Sequence, residues 1–122
     1  MLINVSNHPS EKWDKKQWEA AMKYGGIIDI PFPSVDPYAN EDKIESISDS
    51  LLTEIQKKAT KSDIVMIQGE YTLTYQVVKC LKQSGFTVIS ACSERIVEEN
   101  TDDNGNTIRT SRFEFVQFRE YV

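Results

Sequence analysis

Four short apolar runs constrain this chain more than any other feature of its sequence. They are separated by stretches long enough for a helix, and they lie at residues 2–5, 27–30, 64–67 and 87–91. Such nearly continuous apolar strands are typical of parallel sheets that are covered on both faces. Parallel neighbours also need a long crossover connection, which the intervening stretches supply. The pattern therefore predicts an α/β fold, a three-layer sandwich with a four-stranded parallel core sheet.

The first of three predicted helices follows a break at Asn7–Ser10. Ser10 has a side chain suited to an N-cap, and the helix is expected to run from there to about Tyr24. Gly25 and Gly26 end it, because left-handed C-terminal positions favour glycine. Its apolar stripe consists of Trp18, Ala21 and Met22.

The second and third helices show a clearer apolar periodicity. Asn40 is the predicted N-cap of the second helix, and Ser84–Gly85 ends the third. The apolar positions recur at spacings of three and four, which places them on one face of each helix. They are Ile44, Ile47, Leu51, Leu52 and Ile55 in the second helix, and Leu73, Val77, Val78 and Leu81 in the third. Each helix is expected to cover the sheet with that face.

The last third of the chain departs from this alternation. Asn104–Gly105 is a strong turn signal after a predicted strand at Ile96–Glu99, so we expect a C-terminal β-hairpin beside the parallel core. Its last strand, Arg112–Tyr121, has an irregular apolar phase. One face carries Phe113 and Phe115, and the other carries Val116 and Phe118. Either both faces are buried or the strand contains a bulge, and a two-faced apolar strand also suits a dimer surface.

Length, charge and cysteine content narrow the classes to which the chain can belong. Its 122 residues make one domain, residues 1–122, and a monomer of this mass exposes roughly 6,700 Å². Fourteen Lys and Arg against nineteen Asp and Glu give a net charge of −5, which argues against a duplex nucleic-acid binder. No apolar run approaches the ~20 residues of a membrane span, and the N-terminus shows no signal-peptide pattern. Two cysteines make no disulfide framework, so we expect a cytoplasmic protein.

Four loops are candidates for a binding site because each follows the carboxyl end of a predicted strand. Ligands of open α/β sheets bind at that edge. The loops are Ser6–Ser10, Pro31–Pro37, Gln68–Thr72 and Cys92–Arg95. Two of them lead into helix N-termini, which favour anions such as phosphate. The sequence lacks GxGxxG, GxxxxGK[ST] and GxSxG motifs, which argues against a dinucleotide dehydrogenase, a P-loop enzyme and an α/β-hydrolase.

Several residues of these loops have both a structural and a chemical interpretation. His8 is the only histidine, and it either stabilises the first turn or contacts a ligand as a general acid or base. Glu70 either caps the third helix or binds a ribose hydroxyl, and Thr72 either caps the same helix or donates to a phosphate. Arg95 is placed to reach a phosphate. Cys92 is either a small packed side chain or a nucleophile.

Two further alternatives concern stacking and metal binding. Trp13 either packs in or at the rim of the core or stacks on a base. Carboxylates form a metal site only if they converge, and no spacing in the sequence requires that, so we predict neither a metal nor another cofactor. The carboxylates concerned are Asp29, Asp36, Glu70 and Glu94.

Several segments together are similar to those of a known group of proteins. They are Asn4–Ser10, Tyr24–Gly25, Asp29–Pro33, Asp36–Pro37, Gln68–Thr72, Ser93–Arg95 and Phe115–Tyr121. The pattern resembles small, single-domain CRISPR-associated proteins with a Rossmann-like, CARF-type fold. Some of these proteins are ring nucleases, which cleave the cyclic oligoadenylate messengers of type III CRISPR antiviral defence. The resemblance spans nearly the whole chain and implies one Rossmann-like, CARF-like domain.

The resemblance also implies a homodimer that binds cyclic tetra- or hexa-adenylate over the carboxyl ends of the strands. Cleavage by such proteins needs no metal, because the ribose 2′-hydroxyl attacks the adjacent phosphate and leaves a 2′,3′-cyclic phosphate. The implied catalytic residues are His8, Glu70 and Arg95. The implied ligand-binding residues are Ser6, Asn7, Ser10, Gln68, Gly69, Thr72 and Ser93.

Other functions stay open beside the ring nuclease. A nucleotide sensor or sponge of the same fold binds its ligand without cleaving it. A protein-interaction module docks a partner through the acidic surface and the aromatic last strand. A metal-dependent hydrolase uses the carboxylates and is distinguished by sensitivity to EDTA.

Overall fold

In the computed structural model, residues 1–122 form five strands and three α-helices. In chain order they are β1 (Leu2–Ser6), α1 (Lys15–Met22), β2 (Ile27–Pro31), α2 (Glu41–Lys58), β3 (Ile64–Ile67), α3 (Tyr71–Gln83), β4 (Thr87–Thr101) and β5 (Thr107–Glu120). A short 3₁₀ helix, Ser10–Lys12, lies between β1 and α1. None of the helices combines the length and the apolar character that crossing a membrane requires.

All five strands belong to one mixed sheet. Its order is β2-β1-β3-β4-β5, in which β1 runs parallel to β2 and β3, and β3 runs parallel to β4. β5 pairs with β4 in the antiparallel direction. The predicted α/β class is therefore confirmed.

The prediction of a four-stranded parallel core sheet with a C-terminal hairpin holds only in part, because the hairpin shares strand β4 with the core and the sheet is mixed. The fourth strand does not stop near Ala91 but continues to Thr101, and its outer half forms the first arm of the hairpin. Residues 92–95 contain neither glycine nor proline, so nothing in the backbone interrupts the strand. The antiparallel ladder with β5 pairs their backbone groups, and one five-stranded sheet results.

Helices cover both faces of this sheet. Alternate residues of β1 point to opposite sides, as the two-residue period of a strand requires. Ile3 and Val5 belong to a cluster of 15 buried residues that includes the inner faces of α2 and α3. Leu2 belongs to a smaller cluster of five buried residues that includes Ala21 of α1. The apolar faces predicted for the second and third helices thus face the sheet, and the predicted cap of α2, Asn40, is confirmed.

α1 differs from its prediction in length, cap and buried face. Asp14 rather than Ser10 is its N-cap, because the Asp14 side chain accepts a hydrogen bond from a backbone N–H of the first turn. Trp18 and Met22 are 46% and 37% exposed and do not form the expected core stripe. An eight-residue helix covers little of the sheet. Trp13, from the segment before the helix, is the aromatic residue that fills this side of the core.

A β-bulge explains the irregular phase of the last strand. Cys92 pairs with Gln117 and Ser93 pairs with Phe115, so Val116 has no partner on β4. The extra residue brings Phe115 and Phe118 to the same face, with their ring centroids 4.9 Å apart. Of the two interpretations left open by the sequence, the bulge is confirmed.

The outer parts of β4 and β5 form a two-stranded ribbon that extends beyond the sheet. β3 pairs with β4 only as far as Ile89, whereas the β4–β5 ladder continues to the pair Thr101 and Thr107. The folded chain exposes 8052 Å², which exceeds the roughly 6,700 Å² expected for a monomer of this mass. Most ribbon residues contact solvent on both faces, so the ribbon adds to the exposed surface.

Candidate functional site

A cleft of about 600 Å³ opens at the carboxyl ends of β1 and β3, on the side of the sheet that α1 covers. Three of the four predicted loops contribute residues to it. These residues are Ser6, Asn7, His8, Gln68, Gly69 and Ser93. The segment leading into α1 and strand β5 complete the wall with Lys12, Trp13, Asp14, Gln17, Phe113 and Phe115. The loop Pro31–Pro37 does not line the cleft.

Buried polar groups fix the backbone of the first loop. Asn4 is 1% exposed, and its side-chain N–H donates to the carbonyl oxygen of His8 (3.0 Å). The indole N–H of Trp13 donates to the same oxygen, also at 3.0 Å. The Ser6 hydroxyl donates to Oδ1 of Asn4 (2.7 Å) and accepts from the N–H of His8 (3.1 Å). Ser6 and Asn4 therefore hold the loop, and their polar atoms are engaged within the chain.

The same network leaves the tip of the loop available to a ligand. Only backbone atoms of His8 take part in it, and the imidazole makes no hydrogen bond within the chain. The side chains of Asn7 and His8 are exposed and line the cleft. The interpretation of His8 as an inert, hydrogen-bonded turn residue thus does not describe its side chain.

Gln68 and Gly69 shape the floor of the cleft. The Gln68 amide accepts from the N–H of Ala91 (3.0 Å) and donates to its carbonyl oxygen (3.3 Å). This side chain therefore continues the β3–β4 ladder where β3 itself has ended. Gly69 lies against the buried ring of Phe32, and a Cβ at this position would stand 2.4 Å from two ring carbons. The φ of Gly69 is not positive, so the backbone conformation does not require glycine. Glycine is required because there is no space for a Cβ atom.

Ser10 lies outside the cleft, although the resemblance implies that it binds the ligand. Its hydroxyl donates to Oδ2 of Asp29 at 2.9 Å, and its N–H approaches both carboxylate oxygens at 3.3 Å. Asp29 also accepts from the Asn4 side chain at 2.8 Å. Ser10 therefore fastens the first loop to β2.

Glu70 and Thr72 also lie outside the cleft, at the beginning of α3. The Glu70 carboxylate accepts from the N–H groups of Thr72 (3.0 Å) and Leu73 (2.8 Å) and from the Thr72 hydroxyl (2.8 Å). Desolvation of the carboxylate raises the pKa of Glu70, but the hydrogen bonds from Leu73 and Thr72 outweigh it, so the pKa lies below its ordinary value of 4.5. The carboxylate is the N-cap, and of its two interpretations the structural one describes the observed geometry.

Arg95 lies on the ribbon and does not line the cleft. It is exposed, forms no ion pair, and pairs across the ladder with Phe113, whose ring does line the cleft. Cys92 is half-buried and free, as is Cys80. The candidate catalytic residues His8, Glu70 and Arg95 are thus not brought together.

Several lining residues were not predicted from the sequence as parts of the site. Lys12 brings a cation to the cleft, and Phe113 brings an aromatic ring that is 73% exposed. Asp14 is also present, but its carboxylate is engaged as the cap of α1. No motif marks these residues. Lys12 and Asp14 reach the cleft because the chain makes a 3₁₀ turn before α1, and Phe113 reaches it because β5 folds back.

The cleft contains few charged groups and no metal-binding cluster. Lys12 and Asp14 are its only charged side chains besides the titratable His8. No group of three or more His, Cys, Asp or Glu side chains in the chain is arranged to hold a metal ion. The four carboxylates considered for a metal site therefore do not converge.

Comparison with known proteins places the chain in a family. No curated protein and no solved structure matches it. The model of one protein family, described as the Uncharacterized protein MJ1673 family, matches residues 1–119. That range contains every helix and the first four strands, and nearly all of β5. The chain therefore belongs to the MJ1673 family.

Proposed function

We propose that this protein is a ring nuclease that cleaves cyclic oligoadenylate in type III CRISPR antiviral defence. The proposal includes a Rossmann-like, CARF-type domain and a cytoplasmic homodimer, in which the two-fold axis matches a symmetric cyclic ligand. The cleavage reaction needs no cofactor, since the attacking hydroxyl group belongs to the substrate.

One observation favours the ring nuclease over the other candidate functions. The only histidine of the chain lines a cleft at the carboxyl ends of parallel strands with its imidazole unpaired, and Lys12 lines the same cleft. This edge is where α/β sheets bind ligands. The ring of Phe113, which is 73% exposed, lies in the same wall, and exposed rings are surfaces on which bases stack.

The reaction uses the chemistry that these residues can supply. The substrate 2′-oxygen forms a bond to phosphorus, and the bond between phosphorus and the 5′-oxygen breaks. The His8 imidazole accepts the 2′-hydroxyl proton, and water supplies a proton to the departing 5′-oxygen. Lys12 stabilises the negative charge of the phosphorane. Glu70 has no place in this scheme, because its carboxylate is held at the helix cap.

The test is to incubate the purified protein with cyclic tetra-adenylate and, separately, cyclic hexa-adenylate, with and without EDTA. Products are separated by chromatography, because a ring cut once is an isomer of the intact ring. We expect linear products that end in a cyclic phosphate, also in EDTA. His8→Ala should lower the rate about 10²–10⁴-fold, the usual contribution of a general base. Thr72→Ala, which lies outside the cleft, is the matched control and should cleave at the wild-type rate.

Other results assign a different function. An intact ring together with a raised melting temperature identifies a nucleotide sensor or sponge. An intact ring without stabilisation excludes both nucleotide functions and favours a protein-interaction module. Cleavage that EDTA abolishes indicates the metal-dependent hydrolase. The homodimer is tested separately by sedimentation equilibrium with and without the ring.

A further inference from the structure

The two faces of the β4–β5 ribbon carry different side chains. Residues of a strand alternate between faces, and cross-strand partners share a face. Ser93 and its partner Phe115 line the cleft, so that face of the ribbon continues outward from the cleft wall. The next pair on the same face is Arg95 and Phe113, and Arg109 follows farther out, opposite Glu99. We call this surface the cleft-side face, and it comprises the odd-numbered residues of 93–101 and 107–115.

Charge distinguishes the cleft-side face from its reverse. Arg95 and Arg109 form no ion pair, and Glu99 is the only carboxylate beside them. The reverse face carries three glutamates and a single arginine. That arginine, Arg112, is held by Glu98 at 2.7 Å and Glu114 at 3.0 Å. Unpaired positive charge on the ribbon is therefore confined to the side that faces the cleft.

An exposed aromatic ring of the cleft wall lies beside Arg95 on this face. Phe113 is 73% exposed, although it is a large apolar side chain. Arg109 follows four residues away along β5, about 13 Å at the usual rise per residue. A surface that carries both unpaired cations and exposed aromatic rings can bind phosphates and stack bases. A span of this length fits a ligand with several phosphates better than a mononucleotide.

We infer that the cleft-side face of the ribbon is a binding arm for the sugar–phosphate chain of an oligonucleotide ligand. Arg95 and Arg109 contact phosphates, and Phe113 stacks on a base next to the cleft. This assigns Arg95 a binding role, away from the reacting phosphate. The inference rests on the proposed function, because it takes the cleft as the place where the same ligand is cleaved.

The experiment measures the Kd of cyclic tetra-adenylate as a function of salt concentration. The double variant Arg95→Ala/Arg109→Ala should bind at least tenfold more weakly. Its slope of log K against log salt should be smaller in magnitude by about 1.4, because a single strand loses about 0.7 per contacted phosphate. Phe113→Ala should weaken binding by about tenfold with an unchanged slope. Arg112→Ala, on the reverse face, is the matched control and should bind as the wild type does.

A variant that binds the ring more tightly would distinguish a binding arm from a folding defect, because a folding defect only weakens binding. Glu99→Gln removes the only carboxylate of the cleft-side face, so it should bind the ring more tightly and with a steeper salt slope. If the wild type binds the ring but the double variant keeps both its affinity and its slope, the binding arm is overturned and the proposed function stands. If the wild type binds neither tetra- nor hexa-adenylate, the proposed function itself is overturned, and the arm with it.

Discussion

Replacing Gly69 by alanine tests how the floor of the cleft is packed. The added Cβ would lie 2.4 Å from Cδ1 and Cε1 of Phe32 and 2.5 Å from Cζ. Ordinary carbon–carbon contacts lie near 3.5 Å, so the ring must move by about 1 Å. Phe32 is 5% exposed and belongs to the larger core cluster, where its neighbours leave little room for such a movement.

The expected cost follows from the terms that this substitution changes. Overpacking of a close-packed core costs about 1–3 kcal/mol. The smaller entropy of an unfolded chain with alanine offsets about 0.4–1 kcal/mol of that cost. We expect Gly69→Ala to lower the free energy of unfolding by about 2 kcal/mol, because the contacts involve a rigid ring rather than a flexible chain end. At about 3–5 °C per kcal/mol for a domain of this size, Tm should fall by about 6–10 °C.

Urea unfolding of four proteins measures this cost and its origin: the wild type, Gly69→Ala, Phe32→Val and the double variant. Valine at position 32 lacks all three ring atoms that the new Cβ approaches. The cost of Gly69→Ala should therefore nearly vanish in that background, with a coupling energy of about 2 kcal/mol. Gly26→Ala is the matched control. Its Cβ meets only the end of the flexible Met1 side chain, at 3.2 Å, so its stability should stay within about 0.5 kcal/mol of the wild type.

Two results would refute this reasoning. If Gly69→Ala unfolds at the same urea concentration as Gly26→Ala, the ring of Phe32 does not confine position 69. If Gly69→Ala costs as much with valine at position 32 as with phenylalanine, the cost has another source.

Two further substitutions test the polar contacts around the cleft. Asn4→Asp replaces the N–H donor to Asp29 by a buried carboxylate and should lower the free energy of unfolding by about 3–5 kcal/mol in urea. Adding Asp29→Asn restores a donor and should recover part of that loss; no recovery would contradict the contact. Glu70→Ala should cost about 1 kcal/mol at neutral pH through loss of the cap. Because the folded-state pKa of Glu70 is depressed below 4.5, its stabilisation is complete above that pH and is lost as pH falls through the folded-state value. Thermal melts at a series of pH values should show the wild type and Glu70→Ala converging in acid, and a constant difference would contradict the cap.

Local patterns predicted most of the elements. The parallel strands and the buried faces of α2 and α3 follow from apolar periodicity, which depends on neighbouring residues alone. The prediction of the first helix is less accurate, because Asp14, which the sequence analysis does not single out, is its N-cap. The Ser10 hydroxyl instead donates a hydrogen bond to Asp29, a residue 19 positions away in the sequence. No local pattern contains that contact.

The site divides in the same way. Residues at the ends of strands, such as His8 and Gly69, were predicted to lie together because the carboxyl ends of parallel strands meet at one edge. Glu70 has the chemistry of a catalytic residue, but its carboxylate accepts hydrogen bonds at the beginning of its own helix. Three donors within three residues of Glu70 make these bonds. Lys12 and Phe113 belong to no recognisable sequence motif. They line the cleft because of the 3₁₀ turn before α1 and the pairing of β5 with β4.

The sequence alone determined the α/β class, the positions of the apolar strands and the loops from which a site is built. Each of these depends on interactions among residues within about one helical turn or one strand. The tertiary structure decided how far β4 extends, which phase β5 adopts and which of the candidate polar residues remain free to meet a ligand. These outcomes depend on competition between distant partners for the same hydrogen-bonding groups and the same space, and that competition exists only in the folded chain.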